Sequence, residues 1–423
     1  MLRVADIRDH KEEFLLLLKK RNKDFTPEIE HIINLDQERR NIQVKLDDSL
    51  SKGNILAKQI GDLYKNGKKD QAEDLKKETG QLKELSKKLQ TDLSEKEEEL
   101  NQKLYEIPNI PNSLVPEGKT DQHNEVVYEE ANIPKLNEST KLPHWELASK
   151  YNIIDFELGS KITGAGFPVY LGKGAQLQRA LINFFLDQAL KAGYQEVIPP
   201  LVVNSDSGFG TGQLPDKEGQ MYYITQDDLY LIPTAEVPIT NLYRDHIVDV
   251  SELPIKNVGY TPCFRREAGS YGKDVRGLNR LHQFDKVEIV QVTHPSQSYQ
   301  TLDTMVDYVK ELLRKLELPF RVLRLCGGDL TFTSALTYDM EVFSAAQEKW
   351  LEVSSISNFE TYQANRLKLR YREDGKIQLA NTLNGSALAL PRIVAAILEN
   401  NQTENGIKMP KALQPYLGFD VLN

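Results

Sequence analysis

At 423 residues the chain has room for two or three domains, and its 40% apolar content can build a sizeable core. A net charge of −9 excludes a generic nucleic-acid binder, so any contact with a polyanion has to come from local basic patches. The two cysteines, Cys263 and Cys326, form no C-x-x-C. The seven histidines show no H-x-x-x-H or H-E-x-x-H spacing, so a reducing compartment and no zinc are expected. The opening M-L-R-V-A-D-I-R-D-H carries charges throughout and has no apolar leader core. No run approaches the roughly 18 apolar residues of a membrane span, so the expected location is cytoplasmic, with no membrane partner.

The first quarter differs from the rest. From Pro27 to Leu104 it is rich in Lys, Glu, Asp, Gln and Leu, with no proline after Pro27. Leu75, Leu82, Leu85, Leu89, Leu93, Leu100 and Leu104 recur at spacings of 7, 3, 4, 4, 7 and 4, a coiled-coil seam. A weaker seam runs through Ile29, Ile33, Ile42, Leu46, Leu56, Ile60 and Leu63. Between the two lies Asn66-Gly67, a strong turn signal. The pattern predicts an antiparallel pair of helices over about 27–104, each roughly 35 residues or about 50 Å long. Lys58, Lys65, Lys68, Lys69, Lys76 and Lys77 collect near the turn. A basic rod end suits a polyanion, although a solvated face or a dimerisation rod fits the same residues.

Residues 107–118, I-P-N-I-P-N-S-L-V-P-E-G, cannot continue a helix and read as a stiff linker between an arm (1–106) and a second domain (119–423). There, L-Q-R-A-L-I-N-F-F-L-D-Q-A-L-K-A predicts an amphipathic helix ended by Gly193. E-V-I-P-P-L-V-V (196–203) reads as a strand interrupted by two prolines. Adjacent strands with few crossover helices argue for an α+β domain on an antiparallel sheet.

Residues 260–288 carry the most chemistry. Two β-prone runs flank a loop rich in Gly, Arg and Lys, which contains Lys273, Arg276 and Arg280. Alternation places Arg265 and Glu267 on one face of the first strand, and Phe284, Lys286 and Glu288 on one face of the second. Such a face is a poor core, because Lys, Glu and Arg are seldom buried without partners; an exposed, salt-bridged hairpin is the plainer alternative. No Walker A motif and no helix-opening G-x-G-x-x-G occur, so arginines would have to hold any phosphate; Arg265 and Arg392 are the candidates.

F-R-R-E with its basic loop and Phe284 resembles motif 2 of class II aminoacyl-tRNA synthetases. G-T-G-Q-L-P (210–215), T-A-E-V-P-I-T (234–240), R-G-L-N-R-L-H-Q-F-D-K-V-E (276–288), L-E-V-S-S (351–355) and T-L-N-G-S-A-L-A-L-P-R (382–392) resemble the seryl-tRNA synthetase family in particular. The resemblance covers essentially the whole chain. It implies a class II catalytic domain behind a tRNA-reading arm, and formation of seryl-adenylate from ATP and L-serine, followed by transfer to tRNA(Ser). Whether tRNA(Sec) is also charged stays open.

The resemblance assigns Arg265, Arg266, Glu267, Phe284, Glu352, Val353, Ser354, Ser355 and Arg392 to ATP. Of these, Arg265 would hold the α-phosphate, Phe284 would stack on the adenine, Glu267 would accept from the adenine amino group or orient the bound intermediate, and Arg392 would fork onto the γ-phosphate. Arg265, Glu267 and Arg392 are the catalytic set. Thr234, Ala235, Glu236, Arg265, Glu288, Asn384 and Ser386 would bind serine, with Glu288 on its amino group. Glu352 and Ser355 would supply oxygens to Mg²⁺. Lys65, Lys68, Lys69, Lys76, Lys273 and Arg276 would meet tRNA, and Pro200 would mark a homodimer contact.

Ala387 and Pro391 stand where the family usually has glycines, Phe343 where it has Trp, and Ile356 where it has Cys. Pro391 suits the first position of a helix that would put Arg392 near its positive end. Two other functions compete: an amino-acid ligase acting on a carrier protein, which would not need the arm, and a coiled-coil scaffold with a degenerate site.

Overall fold

The computed structural model describes residues 1–138, 141–216, 218–267 and 276–423. They form two compact units, Met1–Lys19 with Lys23–Pro108, and Lys20–Asn22 with Asn109–Asn423.

The first unit is dominated by two helices, α1 (Thr26–Lys65) and α2 (Lys69–Tyr105). Pro27 lies in the opening turn of α1, where its missing N–H costs nothing. Gly67, at φ +76°, makes the turn predicted from Asn66-Gly67. Leu46, Leu89 and Leu93 form the buried seam with Ile42 packed against them, and Leu100 and Leu104 are buried further along α2. One seam position differs from the pattern. Leu85 is 47% exposed, and its neighbour Ser86 turns inward instead. The Ser86 hydroxyl lies 2.9 Å from that of Ser49 on α1, forming a polar layer between the helices.

The second unit is built on an eight-stranded sheet. In chain order its strands are β1 (Glu125–Glu130), β2 (Gln195–Glu196), β3 (Ile255–Phe264), β4 (Gln283–Thr293), β5 (Phe320–Arg324), β6 (Leu336–Ser344), β7 (Lys349–Asn358) and β8 (Asn381–Ala389). Across the sheet the order is β1-β5-β6-β7-β8-β4-β3-β2. Every pair is antiparallel, as expected, except the short outer pair β3 and β2, which is parallel. The expected strand 196–203 is two pieces. β2 stops at Glu196, and Val202–Asn204 joins a separate small sheet beyond Pro199 and Pro200, which cannot donate to a ladder.

One face of the large sheet is apolar. Val287, Ile289, Met340, Val342, Ile356 and Leu383 are buried in the main core. Helix Gly172–Lys191 adds Leu177, Leu181 and Phe185 to it, and helix Ser298–Lys315 adds Leu302, Met305 and Val309. Helix Leu390–Asn400 adds Ile393, Val394 and Ile397, and opens with Pro391 and Arg392 in its first turn as expected. Phe343 has Trp350 as its cross-strand partner, with ring centroids 5.2 Å apart, and Ile356 is fully buried.

Candidate active site

Register decides what lies on the other face. Glu288 pairs with Ser386 and Val290 with Asn384 across β4 and β8. Asn384 pairs with Ser357 on β7, and Ser357 with Thr337 on β6. Cross-strand partners share a face, and so do residues two apart. The face opposite the core therefore carries Phe284, Lys286, Glu288, Asn384, Ser386, Asp339 and Glu341.

Glu352 and Ser355 are three apart, which in a regular strand would put them on opposite faces. The register shifts at this point: Met340 pairs with Ser354, but Glu341 pairs with Glu352, so Val353 is an extra residue. This bulge brings Glu352 and Ser355 to one face, beside Glu341 and Asp339. Val353 and Ser354 are buried on the core side, and the Ser354 hydroxyl donates to the carbonyl of Ser386. Their side chains are thus turned away from the face on which the nucleotide contact was expected.

Arg265 and Glu267 are not strand residues, contrary to the alternation. β3 ends at Phe264, and Glu267 adopts φ +49°, outside the extended region. Arg265 still reaches the site. Its guanidinium carbon lies 5.2 Å from the centroid of the Phe284 ring, and its Nε donates to the carbonyl of Pro233. Its backbone N–H donates to the carbonyl of His282, and that of Arg266 to Gln220. Glu267 meets Arg280 Nε at 3.3 Å. Arg392 donates from Nε to the carbonyl of Asn279 (3.2 Å) and from Nη1 to the carbonyl of Glu352 (2.5 Å), with the Glu352 carboxylate 3.5 Å away. The guanidinium of Arg276 sits 4.9 Å over the Trp145 ring, and Lys273 lies outside the described residues.

The T-A-E segment forms the wall of a small polar pocket. The Thr234 hydroxyl donates to Glu288 (3.2 Å) and accepts from Lys286 Nζ (2.8 Å) and from the backbone N–H of Glu236 (3.2 Å). The last bond satisfies the first N–H of the helix Glu236–Asn241, whose N-cap is Ala235 and not Thr234 as a helix-cap reading of T-A-E would have it. Ala235 packs under the pocket with Ile239 and Val290. Lys286 forms a buried ion pair with Glu288. Glu236 accepts from Gln363 Nε2 (2.7 Å) and Gln213 Nε2 (3.5 Å). Burial, then the nearby Glu288 charge, push its carboxyl up to about 7 against the hydrogen bonds that favour ionisation.

Lys286, Gln213 and Gln363 are pocket residues absent from the assignment made on the sequence. Lys286 has a signal in the alternation of Phe284, Lys286 and Glu288, and Gln213 lies inside G-T-G-Q-L-P. Gln363 has none.

The donor set beside β7 suits a hard divalent cation. Asp339 Oδ1 is buried without a hydrogen-bond partner among the described residues. Burial, and next the charge of Glu352, raise the Asp339 carboxyl well above its ordinary range. Among the described residues no three His, Cys, Asp or Glu side chains form a metal cage.

On the arm, Lys65, Lys68, Lys69 and Lys76 are all exposed; Lys65 lies 4.0 Å from Asp62, and Lys76 is held by Glu73 at 2.8 Å and lies over the Tyr64 ring. Pro200 is exposed, beside Ile198 at 87% exposure. No helix among the described residues is long and apolar enough to cross a membrane.

The sheet and its polar face define a class II tRNA synthetase core. Residues 222–401 match the family model of the tRNA synthetase class II core domain (G, H, P, S and T), and residues 1–111 match that of the seryl-tRNA synthetase N-terminal domain. The chain is 50% identical over 394 residues to the serine–tRNA ligase of Salinibacter ruber, covering 92% of each. It is 45% identical over 430 residues to that of a Cyanothece strain, covering 100% of each. A crystal structure of the seryl-tRNA synthetase from Pyrococcus horikoshii complexed with ATP superposes with a TM-score of 0.93 at 32% identity, over 100% of this chain and 99% of that one. The chain belongs to the seryl-tRNA synthetase family of class II aminoacyl-tRNA synthetases.

Proposed function

We propose that this chain is a serine–tRNA ligase that makes seryl-adenylate on the polar face of its sheet and transfers the seryl group to tRNA(Ser). The observation that carries this reading is the convergence on one face of Arg265 and Arg392, the buried Lys286–Glu288 pair with Thr234 and Glu236, and the Glu352 and Ser355 oxygens. ATP binding is further supported by the ATP complex of the Pyrococcus horikoshii relative.

In the first step a serine carboxylate oxygen attacks the α-phosphorus and forms the acyl-phosphate bond. The bond from that phosphorus to the bridging oxygen breaks, and pyrophosphate leaves. Arg265 holds the α-phosphate, where charge builds in the transition state, and its stacking on Phe284 presets its plane beside the adenine site. Arg392 forks onto the γ-phosphate, and Glu267 reads the adenine amino group. Glu288 receives the serine ammonium. Thr234, Glu236, Asn384 and Ser386 offer hydrogen bonds to the hydroxyl, and an alanine in the same place makes none of them. Mg²⁺, when bound by Glu352 and Ser355, would neutralise phosphate charge. In the second step a hydroxyl at the tRNA 3′ end attacks the acyl carbon and AMP leaves.

The arm, residues 1–106, reads tRNA through its exposed lysines, with phosphates as the contact. The exposed Ile198, Pro200 and Leu201 fit a homodimer contact, which light scattering at micromolar concentration would refute by finding a 48 kDa particle. The deciding experiment is ATP–pyrophosphate exchange across amino acids. Serine alone should support it, and Arg265→Ala should lower it by at least about a hundredfold, in line with the loss of one transition-state donor. Exchange with another amino acid, or near-normal exchange in the variant, would overturn the reading.

A further inference from the structure

His144 and Glu399 form a fully buried pair whose chemistry the reaction does not use directly. His144 Nδ1 lies 2.7 Å from Glu399 Oε1, and Nε2 accepts from the backbone N–H of Leu278 at 2.8 Å. A carboxylate can only accept and a peptide N–H can only donate, so the ring is held with its proton on Nδ1 and its lone pair on Nε2. Glu399 is itself fixed, by the backbone N–H of His144, the Ser344 hydroxyl and Gln347 Nε2. The ring therefore has no freedom to turn.

What it grips is the segment 276–280. Gly277 passes so close that a Cβ there would lie 2.1 Å from His144 Nε2, and its φ of +70° also demands glycine. Trp145, the next residue, carries the Arg276 guanidinium on its ring. On its other side the same short segment touches two residues of the nucleotide site: the Asn279 carbonyl accepts from Arg392, and Arg280 pairs with Glu267.

We propose that His144 is a positioning residue for ATP. Through the Leu278 N–H it sets the path of 276–280, and through that path the direction of Arg392 and Glu267. The proposal rests on the serine–tRNA ligase reading only for the identity of the nucleotide, since the geometry is independent of the amino acid.

The test compares the full-length wild type with His144→Phe, which keeps a ring of similar size but loses both bonds, and with His144→Gln, whose amide again offers one donor and one acceptor. ATP affinity is measured by calorimetry without serine, alongside exchange kinetics. His144→Phe should weaken ATP binding and raise KM for ATP at least tenfold while leaving KM for serine within twofold, and His144→Gln should recover most of the loss. If His144→Phe does not fold, Gly277→Ala, which pushes the segment off His144 at the same contact, should show the same split. Unchanged ATP affinity in the folded variants, or equal losses for ATP and serine, would overturn the proposal. A wild type that binds ATP but shows no serine-dependent exchange would overturn the ligase reading instead.

Discussion

Glu236 offers a quantitative test of the pocket. It is 8% exposed, shares its surroundings with Glu288, and its carboxyl is shifted from an ordinary 4.5 up to about 7. Below pH 4.5 the group is protonated in both folded and unfolded chains and contributes nothing to pH dependence. Between 4.5 and 7 the unfolded chain has lost this proton and the folded one keeps it, so wild-type stability falls as pH rises. The slope approaches about 1.4 kcal/mol per pH unit within this window, which sums to a penalty of roughly 3 kcal/mol above pH 7. Glu236→Gln removes the titration while keeping an acceptor for Gln363.

The stability difference, variant minus wild type, should therefore rise from a baseline at pH 4.5 to a plateau near pH 8, about 3 kcal/mol higher. Urea unfolding followed by tryptophan fluorescence reads the right unit, because both tryptophans, Trp145 and Trp350, lie in it. A difference that is flat with pH, or that grows as pH falls, would refute the assignment of a buried, proton-retaining carboxyl.

Other predictions bear on different parts of the molecule. Ser355→Ala should raise the Mg²⁺ concentration for half-maximal exchange several-fold, with KM for serine little changed; an unaltered Mg²⁺ titration would remove Ser355 from the cation site. Leu93→Ala, in the seam of the arm, should cost that unit about 2–5 kcal/mol, read as a lower urea midpoint of the helical circular dichroism signal, while exchange stays normal. Lys65→Glu, Lys68→Glu and Lys69→Glu combined should weaken tRNA binding and flatten its log–log salt slope by roughly 3, provided each lysine meets one phosphate. Lys76→Glu alone should do less, since Lys76 is already engaged by Glu73 and Tyr64; an equal or larger effect would move the contact down the helix flank.

Local signals were enough for much of the molecule. The two-helix arm follows from leucine spacing and one Asn-Gly turn, because the helical period and a positive-φ glycine are properties of neighbouring residues. The first-turn position of Arg392 follows from Pro391 in the same way. The names of the chemical groups, from Arg265 to Glu352, come from short ordered segments.

Only the tertiary structure decided which of these groups share a face. Alternation along the chain wrongly placed Arg265 and Glu267 on a strand, since the ladder stops at Phe264 and the chain then turns. Leucine spacing put Leu85 in the seam, but the partner helix offers Ser49 at that level, and Ser86 meets it. Gln363 enters the pocket from a segment with no distinguishing pattern of its own. Glu352 and Ser355 would diverge in a regular strand; they converge because the pairing of β6 with β7 accommodates one extra residue at Val353. A bulge is a mismatch between two strands, so neither strand's sequence by itself specifies it.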